Sequence, residues 1–576
     1  MRLRIVGVDG QGTAQLDDGL GVALLLGVLL APPEVLCQPL LGAPTRGEPA
    51  GTEECDRREG AGKPDPRFSP RHLAEPNEPA SRPASPKVDA MSAPRTRVFA
   101  LDGRGLAVFR IAVGLFLLAD VASRIPDLEA HYTDQGAMPR ALVEAEHPPP
   151  VLFRAFFASG EAAPTAALLG LLAVASGFLT AGRFTRSATF VCWLLFCSLV
   201  ARNPYVVNFG DRIFRVILLW SIFLPLGSFL SLDAQRRDRS PPLSVLSGGS
   251  AAYLIQIITI YVYSGLLKSD PIWTEGQAVR VALLFDQLTR PLGRALAEWP
   301  AVCELLTYGT LFFELVIVLL VFLPFRTGFF RVLAVASAIA FHMGIALTMR
   351  IGHFPFLCMA AWLPLLPPAF WERVIGGQTV LEQSAPERRG VGPADLLAGL
   401  LIGWVTIVNL ASLNPPDETW VPRPLLEAAE QLALDQQWST FAPHPNRIDG
   451  WFVISGRLPD GLLVDLQRED EPPTWLKPED PGAVFPNPRW MGSMVKLHVN
   501  RDRSQQKESL ATYLCRRWNR DHPPERRIDH VSIDYVQELT LLDGTEDRPL
   551  RMVLLRKECP DQDPASDRHE GRVPAP

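Results

Sequence analysis

Long apolar runs separated by short polar loops are the feature that most restricts how this chain can fold. From residue 105 onward, runs of about 17 to 25 mostly apolar residues recur, the length that an α-helix needs to cross a bilayer. They cover residues 105–123, 164–182, 187–201, 211–231, 251–267, 302–325, 329–349, 354–372 and 394–413. The sequence therefore predicts a polytopic α-helical membrane protein with about nine transmembrane helices.

The composition indicates that soluble parts flank this membrane part. Hydrophobic residues make up 47% of the 576 residues, yet 20% are charged. We expect a transmembrane domain at residues 97–415, an α+β domain at 416–558 and a disordered tail at 559–576. The net charge of −6 and the lack of a basic run give no indication of a nucleic-acid partner.

The first 96 residues do not have the composition of a folded domain. Residues 31–90 contain 12 prolines among Gly, Arg and Glu, and such a segment cannot bury a core. We interpret residues 1–96 as a disordered extension or as the product of a start codon assigned too early, with Met91 as the alternative start.

Arginines are concentrated in alternate loops, which sets the expected orientation. They lie before the first predicted span and after the second, fourth, sixth and eighth, at Arg95, Arg97, Arg104, Arg183, Arg186, Arg236, Arg237, Arg239, Arg326, Arg331, Arg373, Arg388 and Arg389. Under the positive-inside rule these loops face the cytoplasm. With an odd number of spans, the N-terminus is cytoplasmic and the C-terminal domain is extracytoplasmic.

The C-terminal region has the pattern of a small α+β domain. Residues 451–467 read as a hairpin around the turn Pro459-Asp460-Gly461, residues 507–521 have helical spacing, and residues 530–542 and 550–555 alternate as strands. Cys515 and Cys559 would share an oxidising compartment, and the sequence leaves open whether they pair. The eight cysteines contain no Cys-x-x-Cys, so we expect no metal site and interpret the others as packing residues.

One lysine ends an apolar run, in the stretch from Tyr263 to Gly276. Lys268 follows the run directly, and Pro271 ends the helix just beyond it. A lysine here either extends to the headgroups or occupies a site that uses its amine. Gly265 favours the second interpretation, because a small residue lets another backbone approach closely.

Other polar residues fall inside the predicted spans. His342 lies on the order of 10 Å from the outer end of its helix, at 1.5 Å per residue. Glu314 lies near mid-span, where a carboxyl group must be neutral or paired with a cation. Asp211 opens the fourth predicted helix, where an acid favours the helix dipole and can pair with a nearby arginine.

The lysine stretch resembles a segment of the vitamin K-dependent gamma-carboxylase and its bacterial relatives, the HTTM membrane family. The residues that match are Ser264, Gly265, Lys268, Asp270, Trp273, Glu275 and Gly276. One of the two family lysines is Leu267 here, and Lys268 takes the position of the catalytic base. Similar boxes surround His342 and begin at His131 and Gln436, whereas Asp211 stands where the carboxylase has an active-site histidine.

The resemblance implies a set of roles. Lys268, His342 and Asp211 would be catalytic, and Trp273 and Glu314 would bind the cofactor, a reduced quinone of the vitamin K type. Oxygen and carbon dioxide would be co-substrates, and a peptide or protein carrying glutamate would enter from the outer face of the bilayer. The competing hypothesis is a quinone- or lipid-binding protein, or a transporter, without carboxylase activity.

Overall fold

The computed structural model describes residues 97–237, 241–375, 391–414, 418–468, 471–499, 504–541 and 547–560. The N-terminal extension before residue 97 and the tail after residue 560 lie outside these ranges, as does the alternative start at Met91. The described residues form a helical region that carries a sheet domain at its C-terminal end.

The helices of eight residues or more are numbered in chain order. They are α1 (Gly103–Arg124), α2 (Ala162–Ala181), α3 (Thr185–Arg202), α4 (Phe209–Ser221), α5 (Gly248–Leu266), α6 (Pro300–Leu315), α7 (Thr327–Thr348), α8 (Phe354–Trp362), α9 (Pro368–Ile375), α10 (Pro393–Ala411), α11 (Arg423–Gln431), α12 (Pro488–Val499) and α13 (Ser504–Asp521). Shorter helices occupy the loops, at Leu128–Tyr132, Arg140–Glu146, Pro271–Thr274, Ala278–Leu283 and Pro291–Ala297.

The prediction of nine spans is too high. Within the described ranges, six helices are long and apolar enough to cross a membrane: α1, α2, α5, α7, α10, and α6 together with the 3₁₀ turn that follows it to Phe322. A seventh is reached if Phe354–Leu365 and Pro368–Ile375, which meet at an angle of 104°, form one broken span. The chain is thus a multi-pass membrane protein with six or seven candidate spans.

The remaining predicted spans differ for local reasons. The run predicted at 211–231 forms only the 13 residues of α4, because Pro225 disfavours the helical conformation of the residue before it. The run at 187–201 does form a helix of 18 residues, but α3 carries Arg186 and Arg202 near its two ends. In the run at 354–372, consecutive prolines at 367 and 368 separate α8 from α9 and allow the bend.

The C-terminal domain is built on a four-stranded antiparallel sheet. Its strands are β1 (Ile448–Arg457), β2 (Leu463–Asp465), β3 (His530–Leu539) and β4 (Leu550–Glu558), in the spatial order β2-β1-β3-β4. The predicted hairpin, helix and two strands are all present, and α13 begins three residues earlier than expected. Helix α12 was not predicted, and it packs with α13 in the same hydrophobic cluster as the sheet residues Phe452 and Ile454.

A disulfide joins Cys515 in α13 to Cys559, which follows β4. Their Cα atoms are 5.6 Å apart, so the helix is fixed to the edge of the sheet. The pairing that the sequence left open is therefore present. The four cysteines of the described helical region are buried and unpaired, as expected of packing residues, at Cys192, Cys197, Cys303 and Cys358.

The sheet meets the loop before α6 through a group of acids. The backbone N–H of Asp286 donates to Asp449 in β1, and carboxylate oxygens of Asp286, Asp449 and Glu538 lie within 4.8 Å of one another. The Lys477 ammonium lies 2.7 Å from Asp286 and 2.6 Å from Glu538, so the group contains its own cation. Burial, together with the neighbouring carboxylates of Asp286 and Glu538, raises the pKa of Asp449 to about 7.

This raised pKa predicts that Asp449→Asn stabilises the protein at alkaline pH. The unfolded chain loses the Asp449 proton near its ordinary pKa of 3.8, whereas the folded chain keeps it until about pH 7, so the folded state loses stability as the pH rises between these values. Gly450 donates to one oxygen of Asp449 and Asp286 to the other, so the single asparagine oxygen keeps one of these two hydrogen bonds, and the lost bond lowers the gain by about 1 kcal/mol at every pH. We expect a gain of roughly 1–4 kcal/mol at pH 8 that disappears near pH 4, measured by unfolding of the detergent-solubilised protein.

The matched control is Asp529→Asn in the same domain. Hydrogen bonding from Arg457 lowers the pKa of Asp529, so removing this charge should give no gain at pH 8. An equal effect of Asp449→Asn at pH 4.5 and pH 8 would contradict the assignment of a buried, proton-retaining carboxyl group.

Candidate functional site

Lys268 lies two residues beyond the end of α5, with its side chain turned back along the helix. The amine donates to the Ser264 hydroxyl at 2.7 Å and to the Ser264 carbonyl at 3.2 Å. Positions 264 and 268 are neighbours on one helix face because they are four residues apart. Lys268 is only 7% exposed, so its amine does not extend to water.

Glu314 in α6 is the charged partner of Lys268. The Lys268 amine lies 2.8 Å from one carboxylate oxygen of Glu314 and 3.0 Å from the other, and the Ser264 hydroxyl donates to the same carboxylate at 3.1 Å. Gly265 makes this approach possible, because a Cβ atom at that position would lie 2.7 Å from the Leu315 side chain. The small residue thus brings α5 and α6 close enough to form a buried ion pair.

Trp273 is placed beside the amine by the loop that follows. The Asp270 side chain accepts from the backbone N–H of Ile272 and caps the short helix Pro271–Thr274. The Trp273 ring centroid then lies 5.1 Å from the Lys268 amine, within the range of a cation–π interaction. The indole N–H donates to the carbonyl of Phe441, in the box that follows the last predicted span.

His342 in α7 contacts α5 about one helical turn before Ser264. Its Nε2 lies 2.8 Å from the Tyr261 hydroxyl, which also accepts from the Trp362 indole N–H at 2.8 Å. Because the tyrosine oxygen accepts from Trp362, its own proton is free to point at the histidine. Tyr261 lies three residues before Ser264 on α5. His342 is therefore linked to the helix that precedes Lys268 through Tyr261.

The geometry supports acid–base chemistry at the ion pair. Removing an ammonium and a carboxylate from water is costly, and their mutual attraction offsets that cost only while they remain in contact. The proton between them can reside on Lys268 or on Glu314. An amine that releases its proton to a carboxylate 2.8 Å away becomes a base without solvent access.

Asp211 does not join this group. Its carboxylate is bound by two arginines, with Arg124 at 2.5 Å and Arg489 at 2.9 Å. Both arginines also bind Asp120, and all four side chains are buried. Among the described residues, the structure thus brings Lys268, Glu314 and Trp273 together, links His342 through Tyr261, and places Asp211 in a separate network.

Sequence reasoning missed several of these residues. Ser264 and Tyr261 share a helix face with Lys268 by their spacing of four and seven residues, a signal that the sequence did contain. Arg489 gave no such signal, because α12 was not predicted and its two partners lie 278 and 369 residues away along the chain.

Comparison with known proteins matches residues 100–371 to the HTTM domain. The matched range contains Lys268, Trp273, Glu314, His342 and Asp211. No curated protein and no solved structure matches the chain.

The buried pair predicts a strong dependence of stability on its two members. Glu314→Gln leaves an ammonium buried without its counter-charge and should lower the free energy of unfolding by about 3–5 kcal/mol. Lys268→Met should cost a similar amount by leaving the carboxylate alone. The double variant removes both charges and should recover most of the loss, as measured by unfolding in detergent. Additive losses in the double variant would show that the two groups do not interact.

Proposed function

Since this chain is a membrane protein with an HTTM domain, the domain shared with vitamin K-dependent gamma-carboxylase, we propose that it couples oxidation of a reduced quinone to carboxylation of a glutamate-type carbon acid. The observation that carries the proposal is the buried Lys268 amine, held between the Glu314 carboxylate and the Trp273 ring. Such an amine can accept a proton from a hydroquinone hydroxyl in a site that excludes water.

The residues around Lys268 suit a flat, weakly acidic ring. Trp273 offers an aromatic surface next to the amine, and Phe313, beside Glu314, packs against Tyr261 with ring centroids 5.4 Å apart. When bound, the reduced quinone would supply a ring that reacts with oxygen to give a strong base, able to remove the proton next to a carboxylate so that carbon dioxide can add. Trp273 would hold the ring, and Lys268 would take the hydroxyl proton.

Glu314 and His342 would support the base. Glu314 accepts the lysine proton before the reaction, so that the amine is neutral when it is needed. His342 is 1% exposed and hydrogen-bonded to Tyr261, so it would hold α5 in the orientation that directs Ser264 and Lys268 toward Glu314. Asp211, bound to two arginines, positions α4 and is not proposed as a proton acceptor.

We also place the C-terminal domain outside the cytoplasm. When Phe354–Leu365 and Pro368–Ile375 are counted as one broken span, the seven spans place all the arginine-rich loops on one side and the C-terminal domain on the other, which supports this orientation. The Cys515–Cys559 disulfide supports it independently, since disulfides persist in oxidising compartments. In this orientation Lys268 lies at the outer end of α5, on the side where an extracytoplasmic peptide or protein could reach it.

Substitution of Lys268 separates the enzymatic proposal from simple binding. Lys268→Arg keeps the positive charge but cannot release a proton at neutral pH, and Lys268→Met keeps the apolar stem, so both should reduce oxidation of reduced menaquinone to background. His342→Ala should lower the rate by roughly 10- to 100-fold, as expected when a positioning group is lost. The measurement is quinone oxidation by purified protein in nanodiscs.

The control for these variants is binding of oxidised menaquinone, which should be retained when only proton transfer is lost. If Lys268→Arg oxidises reduced menaquinone at nearly the normal rate, the amine serves only as a charge, and a quinone- or lipid-binding protein or a transporter becomes the better description.

The orientation predicts which surface an impermeant thiol reagent can reach. Leu476 in the C-terminal domain is 79% exposed. Leu476→Cys should be labelled in intact cells after the other unpaired cysteines are replaced and the disulfide is kept. Gln235→Cys, an exposed position beside the arginines that follow α4, is the matched control and should be labelled only after lysis. The reverse pattern would place the C-terminal domain in the cytoplasm.

A further inference from the structure

A polar cavity lies away from Lys268, between the helical region and the segment that leads into the sheet domain. It has a volume of about 570 Å³. Its walls come from α3, α4, the end of α11, residues 433–438 and the proline-rich loop 146–153. None of the residues proposed to act in quinone oxidation lines it.

The cavity lies beside apolar surface that adjoins a candidate membrane span. The Trp404 indole in the last candidate span donates to the Leu425 carbonyl in α11 at 3.2 Å, which holds α11 against that span. Trp404 lies seven residues before the end of α10, about 10 Å along the helix. Leu425 is 46% exposed. Val151 and Leu152, between the lining residues Pro150 and Phe153, are 82% and 47% exposed, and the Val151 N–H donates to the Gln431 side chain at the end of α11.

Two arginines inside the cavity differ in whether they pair with a carboxylate. Arg215 pairs with Asp435 at 3.1 Å. Arg212 donates to the Gln437 carbonyl at 3.0 Å and stacks on Phe209, yet it forms no ion pair with any residue that the structure describes. A half-buried guanidinium without a carboxylate partner is a site for an anionic group.

The rim carries the opposite charge. Glu430, at the end of α11, forms no ion pair within the described ranges. Burial and the nearby carboxylates of Asp435 and Glu427 raise its pKa, so a cation next to it would be favourable. Arg212 inside the cavity and Glu430 at its edge thus have no ion-pair partner among the described residues, and both lie beside exposed apolar side chains.

We propose that this cavity binds a phospholipid with a zwitterionic headgroup that carries a primary ammonium. The phosphodiester would accept hydrogen bonds from Arg212, and the ammonium would donate to Glu430. The acyl chains would follow the apolar surface formed by Val151, Leu152 and Leu425. Three acids and three cations line the cavity, namely Glu146, Glu430, Asp435, Arg212, Arg215 and Lys496, so a headgroup without net charge matches it best. A quaternary ammonium cannot donate hydrogen bonds to Glu430, so phosphatidylethanolamine should bind more tightly than phosphatidylcholine.

Native mass spectrometry of the full-length protein in detergent tests this proposal. Phosphatidylethanolamine, phosphatidylcholine, phosphatidylglycerol and inorganic phosphate are titrated separately. We expect saturable binding of phosphatidylethanolamine that Arg212→Gln weakens about tenfold or more, since a charge-assisted hydrogen bond is lost. Arg183→Gln is the matched control, because Arg183 also stacks on a phenylalanine but lies outside the cavity. The Arg183→Gln variant should bind phosphatidylethanolamine as tightly as the unchanged protein does.

Glu430→Gln distinguishes the headgroup from the phosphate alone. Its side chain is exposed, so the variant should fold normally, and it should reduce the preference for phosphatidylethanolamine over phosphatidylglycerol to within about twofold, because the group that binds the ammonium is gone. Equal binding of inorganic phosphate and phosphatidylethanolamine would show a phosphate site and overturn the lipid assignment. Binding that Arg212→Gln leaves unchanged while the protein melts normally would overturn the proposal altogether.

Discussion

A charged group in the helical part of this protein must find a partner inside the protein, and this constraint determines how the helices are arranged. Lys268 and Glu314 satisfy each other across α5 and α6 at 2.8 Å. Arg331 in α7 donates instead to the carbonyls of Val98 and Ala100, just before α1. Each contact fixes two segments relative to each other, because breaking it leaves a buried group without its partner.

The same constraint joins the C-terminal domain to the helices. Arg489 from α12 enters the helical region and binds Asp120 of α1 and Asp211 of α4, while Arg124 binds the same two acids. Two positive and two negative charges are thereby buried together with no net charge. A second contact lies beside Lys268, where the Asp270 N–H donates to the Pro443 carbonyl and the Trp273 indole donates to the Phe441 carbonyl, so the lysine loop is joined to the segment that leads into the domain.

The sequence was informative wherever a pattern is local. Six spans follow from apolar length, the strands from alternation, and the lysine loop from a compact box between Ser264 and Gly276. Contacts between distant segments were not predictable in this way. Asp211 was predicted as a site residue from its position in the chain, whereas its pairing with Arg489 was not predicted, because Arg489 lies 278 residues away on a helix that periodicity did not indicate. The length of α4 was overestimated because apolar residues continue past Pro225, where the helix cannot.

The central claim is that the paired lysine serves quinone chemistry, and the product of the reaction tests it most directly. Purified protein in nanodiscs is incubated with reduced menaquinone under isotopically labelled oxygen gas, and the quinone is analysed by mass spectrometry. The account predicts menaquinone epoxide that carries one labelled oxygen atom. The account would be contradicted if protein that binds menaquinone left the reduced menaquinone unchanged, or converted it to menaquinone without forming labelled epoxide.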